Sequence, residues 1–570
     1  MITLNNINLS SIDLSGIDLR GIKLGLGGRG GGSGDGFPQL PGDVTRWHFG
    51  GLTNEMMAAM DDPRIEDADH KGRFLSFKNF AWGGMSGVGG YTENYNSNRW
   101  YKVETRIDAT WTYKSFNARS IKDNIAAQLF YQSISSDTGF RVLSCTIKVS
   151  GLTDGQGVEY VSNGTQQFVI MRIENDGIYH LPSFDFGAKN AYYGFRFLKL
   201  QESCNITIEQ LPLYPGALVF DGVDDRGTCD NFPVLTKEKG YTVVALRQWD
   251  QDFLNTTLTG GLLSTRNYST GEGVAFEKIE SSSKGYWNLG AGGIIDFAKS
   301  PFTWQTSKQY NNVGILKGDK NHGKPLCVGC GLSGGQQCGR FAIWELVILD
   351  HDATEEELTK IKDYFVKTYP WLFFDQAWTV TGKTNEDEDR ATIANITGNG
   401  NNLVLSNFGF IEGSGYNEEG EYAGYLVTDG VDDKITSSIF EMGNDWTVIG
   451  DWELINTGKK DNAGIVKFDS IVIYNYNPIL INIKNGRNNL IPDQNTVNAI
   501  CSDGRIYSKD WKESIYNEET ESTSKNLLTI GYSGNSYTKI AFKNLAIYPT
   551  ILSKEDCIKA YNYLQTLKAK

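Results

Sequence analysis

Apolar residues recur along this chain with three different periods. Over residues 2–24 the pair Ile-x-Leu returns every five positions: Ile2 with Leu4, Ile7 with Leu9, Ile12 with Leu14, Ile17 with Leu19, and Ile22 with Leu24. A helix would rotate each successive pair by about 140° and build no stripe, while a flat strand would send alternate pairs to opposite faces. Neither regular element fits. Further along, alternation takes over: FLSFKNF, KVETRIDATW, VLSCTIKV, QQFVIMRI, YYGFRFLKL and LVLSNFGF read as strands, with turn signals such as SNG and NDG among them. A helical pattern appears in two places. TEEELTKIKDYFVKTYP carries Thr354 as N-cap, Glu357 three residues on, acids in the first turn and Pro370 as the stop. SKEDCIKAYNYLQTLKAK repeats the design, with Ser553 and Asp556 in the capping positions and lysines at its end.

The strands recur in one order. WHFGGLTNE from Trp47 matches WTVTGKTNE from Trp378, and the match continues with Leu75 against Leu403 and Asn79-Phe80 against Asn407-Phe408. After each copy, ALVFDGVDDRG answers YLVTDGVDDKI, GYTVVAL answers DWTVIGD, LCVG answers LTIG, and FAIWELVILD answers IAFKNLAIYP before the helix. The predicted organisation is therefore a pentad arm (1–24), a Gly-rich linker (25–42), a connecting unit (43–100), a β-sandwich-like insertion (101–214), a first repeated β module (215–370), a second connecting unit (371–424) and a second repeated β module (425–570). The predicted fold class is all-β.

The strand ending in FDGVDD, the late "IG" strand and the helix after the last strand resemble laminin-G-like, concanavalin-A-type jelly rolls. The wider stretches WTVTGKTNEDEDRATIANITGNGNNLVLSNF and ITIEQLPLYPGALVFDGVDD are similar to large structural proteins of tailed phages of gut Bacteroidales. The pentads resemble pentapeptide repeats, whose central Leu points into a square β-helix. The resemblance gives that inward role to Leu4, Leu9, Leu14, Leu19 and Leu24. The chain departs from that family in placing Ile two positions before the Leu, where it usually has small residues. Five units build little more than one coil, so two forms stay open: a coil fragment, or an extended peptide seated in another subunit's pockets.

Composition bears on partners. Lys and Arg number 54 against 68 Asp and Glu, a formal net charge of −14 that opposes nucleic-acid binding. No run approaches the roughly 18 apolar residues of a membrane span, and the first residues lack the features of a secretory signal, so synthesis in a bacterial host's cytoplasm and release within a virion are expected. The eight cysteines are scattered, and mostly reduced thiols are expected.

Four constellations are chemical candidates. The repeated DGVDD sets Asp221, Asp224 and Asp225 in one copy and Asp429, Asp432 and Asp433 in the other, a loop that could hold calcium or bind sugar hydroxyls; the alternative is a turn in which Asp bonds its own backbone. His322, Cys327, Cys330 and Cys338 supply zinc-type ligands, against which stand small buried thiols. Loop aromatics including Trp249, Trp287 and Trp304 offer faces for sugar stacking, or are core. Catalysis finds no support: the E-x-D-x-x-E run of retaining glycanases of this fold is missing, GLSGG at 331–335 lacks a strand-to-helix elbow, and none of the five histidines has a readable acid partner. Matches to G-x-G-x-x-G in GLGGRG and to a P-loop around GKT lack the required context.

The expectation is a non-enzymatic virion structural protein, a fibre or decoration component of head or tail. Its ten Ile and Leu anchors would join other virion proteins, and its jelly rolls would bind host-surface glycans. It would form a homo-oligomer, a trimer in the fibre case, with no cofactor beyond calcium. The alternatives are a glycan-active enzyme and a bacterial surface lectin.

Overall fold

The computed structural model describes residues 36–569 other than 96–99, 103–106, 121–124, 133–139, 164–166, 182–183, 187–191, 201–203, 234–240, parts of 251–259, 265–274, 279–284, 288–293, 296–312, 318–325, 333–335, 398–400, 418–421, 456–463, 469–470, 475–478, 484–486, 492–496, 516–525 and 534–535. The pentad arm lies outside these residues, and with it every expected anchor: Ile2, Leu4, Ile7, Leu9, Ile12, Leu14, Ile17, Leu19, Ile22 and Leu24. The inward-pointing role expected of Leu4, Leu9, Leu14, Leu19 and Leu24 therefore has no counterpart among the described residues. Most of the Gly-rich linker, His322 and Trp304 also lie outside them.

The chain is all-β, as predicted, with helices confined to Asn54–Ala58, Glu355–Thr368, a 3-10 turn at Pro370–Leu372, and Lys554–Leu564 among the described residues. In the first sandwich one sheet centres on Arg340–Leu349, an apolar strand buried on both faces. It is flanked by Thr242–Trp249 and Leu218–Asp221, both antiparallel. The facing sheet runs Arg64–Glu66, Phe74–Lys78, Arg226–Cys229, Leu326–Val328, Gly260–Ser264 and onward. Trp47, Phe77, Phe220, Val243, Leu263 and Ile343 fill the space between the two sheets.

Residues 43–100 are not a connector beside this sandwich. Val44–His48 pairs with Arg340–Leu349, Gly87–Val88 with Leu218–Asp221, and Phe74–Lys78 with Arg226–Cys229, so the segment supplies strands to both sheets. The second copy is built the same way: Gln376–Thr379 pairs with Ile540–Tyr548, Gly415–Tyr416 with Leu426–Val427, and Leu403–Ser406 with Lys434–Phe440. The TNE asparagine explains why the repeat is kept. Asn54 donates to Val88 O at 3.0 Å and accepts from Val88 N at 2.7 Å, and Asn385 makes the same pair with Tyr416, both at 2.8 Å. One amide thus satisfies both backbone groups of a short strand that would otherwise leave them unpaired.

The insertion is a sandwich of two five-stranded antiparallel sheets around Phe116, Ile147, Ile206, Tyr160, Phe195 and Phe197.

The two long helices join the sandwiches together. Each lies on the outer face of its own sandwich, and a single apolar cluster runs from Trp344, Ile361 and Phe365 of the first half to Ile449, Tyr548, Tyr563 and Leu564 of the second. Tyr563 meets the rings of Trp344 at 6.3 Å and Phe374 at 6.5 Å, Tyr548 donates its hydroxyl to Trp371 O at 3.1 Å, and Gln248 donates to the Thr566 hydroxyl at 3.2 Å. A boundary that the sequence places at residue 370 is therefore a packed interior.

Candidate functional site

The two DGVDD loops form near-identical clasps. Gly222 at φ +80° and Gly430 at φ +76° take the left-handed backbone that lets the chain reverse, and a Cβ at Gly222 would come within 2.9 Å of Arg340 Cβ. Asp221 Oδ1 accepts from Val223 N and Asp429 Oδ1 from Val431 N, both at 2.7 Å. Asp225, fully buried, accepts from Asp221 N at 3.0 Å and from the Ser86 hydroxyl at 2.9 Å; Asp433 accepts from Asp429 N at 2.7 Å and the Ser414 hydroxyl at 3.2 Å. Asn79 and Asn407 donate to the carbonyls of Asp224 and Asp432 at 3.1 and 3.0 Å.

Carboxylate oxygens of each trio lie within 4.8 Å of one another. Several are already engaged by N–H and O–H donors. Burial, reinforced by the neighbouring aspartates, raises Asp225 to about 7 and Asp433 to about 6, against the pull of those donors. A calcium shell needs ionised oxygens free to turn inward. These contacts are those of a turn that ties the 43–100 and 371–424 segments to their sandwiches.

The zinc candidates do not assemble as ligands. Cys330 and Cys338 are bonded to each other as a disulfide, and Cys327 packs beside them as a buried thiol outside that bond, whose value burial pushes up to about 11. The other cysteines are free and buried. Nor are the expected loop aromatics on loops. Trp249 ends the strand Thr242–Trp249, fully buried in the core, and Trp287 ends the strand Gly285–Trp287.

Acid partners for histidine, unreadable in the sequence, are present in the fold. His48 Nδ1 lies 2.6 Å from Glu345 Oε1, and His351 Nε2 lies 3.0 Å from Glu357. Glu345 also accepts from the hydroxyls of Tyr364 and Tyr369 at 3.1 and 2.9 Å, with Arg46 at 3.7 Å. This buried group ties the Val44–His48 strand to the helix above it, a structural use of the residue types that otherwise mark a catalytic centre.

A cleft between the insertion and the second sandwich has no signal in the sequence. It has a volume of about 250 Å3 and is walled on one side by Ile170, Met171, Ile178 and His180, on the other by Tyr425, Asp451, Trp511 and Tyr561. Asp451 and Glu453 project from the outer face of the strand Thr447–Leu454, opposite the core residues Val448 and Trp452. A bulge in the partner strand at Lys543 turns its ammonium to the same place, 4.0 Å from Asp451 Oδ2 and 3.3 Å from His180 Nε2. Burial lowers both Lys543 and His180 from their ordinary values, and for His180 Lys543 and Lys509 add to the effect. The imidazole is therefore neutral near pH 7, and its Nδ1 is shared with the Thr146 hydroxyl at 3.2 Å.

Fold and clasps together define a multi-sandwich, all-β protein with an internal duplication. No protein-family model matches the chain, and no curated protein matches it. Among solved structures, a Trypanosoma rangeli sialidase in complex with sialic acid aligns over 91% of this chain and 90% of its own at 7% identity and a TM-score of 0.25. A botulinum neurotoxin serotype D binding domain aligns over 60% of this chain and 89% of its own at 11% identity and a TM-score of 0.22. At such scores neither likeness carries an activity over to this chain. The expectation of a non-enzyme is corrected to this extent: solved structures that align over most of the chain are those of sialidases, and the chain is not assigned as a non-enzyme. The missing E-x-D-x-x-E run excludes one arrangement carried on one strand; a site assembled from distant segments leaves no such run.

Proposed function

We propose that the chain is a structural component of a tailed-phage virion, anchored by its N-terminal pentads and projecting its sandwiches toward host-surface glycans. The observation that carries this reading is the sequence of parts: ten regularly spaced Ile and Leu, a glycine-rich linker, then a body whose two sandwiches share one apolar cluster. Ten apolar side chains are best buried against a partner, and a glycine-rich stretch is the composition of a linker that lets an arm reach one. The similarity of the repeat segments to phage structural proteins supports the same assignment, and repeated copies on a particle would raise weak glycan contacts to useful avidity. Other virion proteins are the partners of the arm, and a homo-oligomer is the expected form.

Deleting residues 1–24 tests it. The truncated chain should keep its near-ultraviolet circular dichroism and be missing from purified particles by mass spectrometry. Normal incorporation of the truncated chain, or absence of the intact chain from particles, refutes the proposal.

A further inference from the structure

The insertion meets the second sandwich along an edge strand. Gly177–Leu181 pairs on one side with Cys145–Ser150 and ends that sheet. Its residues alternate, as a strand's must: Tyr179 and Leu181 pack on the insertion's own core, while Ile178 packs on the apolar cluster shared by the two sandwiches and His180 stands edge-on to Tyr561 of the last helix, their rings 6.3 Å apart. Gly177 completes the approach, since a Cβ there would come within 3.3 Å of Asp510 Cβ.

At the centre of this contact an imidazole faces an ammonium. His180 Nε2 lies 3.3 Å from Lys543 Nζ and its Nδ1 lies 3.2 Å from the Thr146 hydroxyl; among the described residues it has no other hydrogen-bond partner. Lys543 can only donate, so the contact lasts only while Nε2 keeps its lone pair. A proton on that nitrogen sets two donors and two positive charges against each other. The carboxylates in reach are engaged elsewhere. Asp451 lies 4.0 Å from Lys543 and accepts from the Tyr425 hydroxyl at 3.1 Å, with Tyr561 beside it. Glu453 is paired with Lys509 at 3.1 Å and Asp510 with Lys512 at 3.0 Å. On the insertion, Arg172 is paired with Glu174 at 2.8 Å, and exposed Lys148 lies across the strand pair from Ile178, so neither offers a negative charge. The fold itself does not call for an ammonium here. The matching bulge of the first sandwich holds Trp344, buried in the apolar cluster.

We propose that this contact is a proton-operated latch, in which protonation of His180 against Lys543 releases the strand Gly177–Leu181 from the second sandwich. The latch goes beyond the virion reading and does not depend on it. The insertion keeps its hold on the first sandwich, where Asn54 donates to the Tyr113 hydroxyl at 3.1 Å and Tyr91 meets that ring edge-on at 5.3 Å. Release is therefore a swing, and it uncovers Ile170 and Ile178 on one side and Trp511 and Tyr561 on the other. Its direction follows from linkage. In the latched form burial, Lys543 and Lys509 hold His180 well below its ordinary 6.5; once released, the ring returns toward that value and takes up a proton that the latched form refuses. The latch has its full strength above pH 6.5 and weakens as pH falls below it.

The test is hydroxyl-radical footprinting of the full chain between pH 8 and 5, read by mass spectrometry at Trp511 and Tyr561, with Trp344 in the interior between the sandwiches as the internal reference. Oxidation of Trp511 and Tyr561 should rise reversibly below pH 6.5, the opening equilibrium growing by up to about 10-fold per pH unit, the limit for one proton, while Trp344 stays protected. H180Q, which keeps an oxygen for Lys543 to donate to and cannot take up the proton, should stay latched across the range. K543M, which removes the facing charge, should flatten the rise. A level profile in the native chain, a rise in K543M as steep as the native one, or a rise shared equally by Trp344, which is general acid unfolding, overturns the latch. Should H180Q be open already at pH 8, K543M decides alone: a flattened profile supports the latch and an unchanged one overturns it.

Discussion

Asp225 and Asp433 show how one residue type is assigned a role by its surroundings. Both end a DGVDD stretch, both are buried, and both accept from a backbone N–H and a serine hydroxyl contributed by a segment well upstream. Burial is the larger influence and lifts them to about 7 and about 6, above the ordinary 3.8. Between roughly pH 4 and those values the folded chain holds more protons than the unfolded chain. Their contribution to stability is full below that window and is lost as pH rises through it. Urea melts of the native chain and of D225N/D433N at pH 4, 6 and 8 should therefore show the native chain losing ground by on the order of a few kcal/mol as pH rises. A difference that stays constant with pH would count against this account. The Asp-Gly turn was legible in the sequence, because turn chemistry is local. That the third Asp points inward was not, because Ser86 and Ser414 reach it only after the sheets have paired.

At the scale of elements, the two helices and their caps were legible for the same reason. Thr354 accepts from Glu357 N at 3.3 Å, and the Glu357 carboxylate receives Thr354 N at 2.7 Å, the reciprocal pair that T-x-x-E predicts. Thr354→Ala should lower the unfolding free energy by about 1–2 kcal/mol, measured by urea melts. A larger role falls to Asn385. Its replacement by Ala strands both backbone groups of Tyr416, in a strand of two residues, and should cost about 1–3 kcal/mol, with faster amide exchange at Tyr416 as the local signature. The strands of residues 43–100 and 371–424 were seen individually and misplaced collectively. Val44 pairs with Leu349, and nothing in a strand's own residues names a partner so far along the chain.

In the whole molecule, the apolar faces of the helices decide how the sandwiches are arranged. Trp344, Tyr548 and Tyr563 are fully buried in a cluster drawn from both halves, so neither sandwich closes its own surface. Calorimetry should show the two sandwiches melting as one transition. Trp344→Ala, which leaves a cavity in that cluster at a cost of about 3–5 kcal/mol, should lower that transition or split it in two. Two independent transitions in the native chain would refute the shared interior. Alternation, turn residues and caps, all set by neighbours a few positions apart, were enough to determine by sequence alone that this chain is all-β, duplicated, and closed by a capped helix in each copy. Only the tertiary structure decided that the connecting segments belong to the sheets, that Cys330 bonds Cys338, that the aspartate trios serve as clasps, and that Asp451 lines a cleft against the insertion while Lys543 sits between it and His180. Each of these depends on which distant surfaces bury one another, and burial is a property of the assembled fold, not of any short stretch of chain.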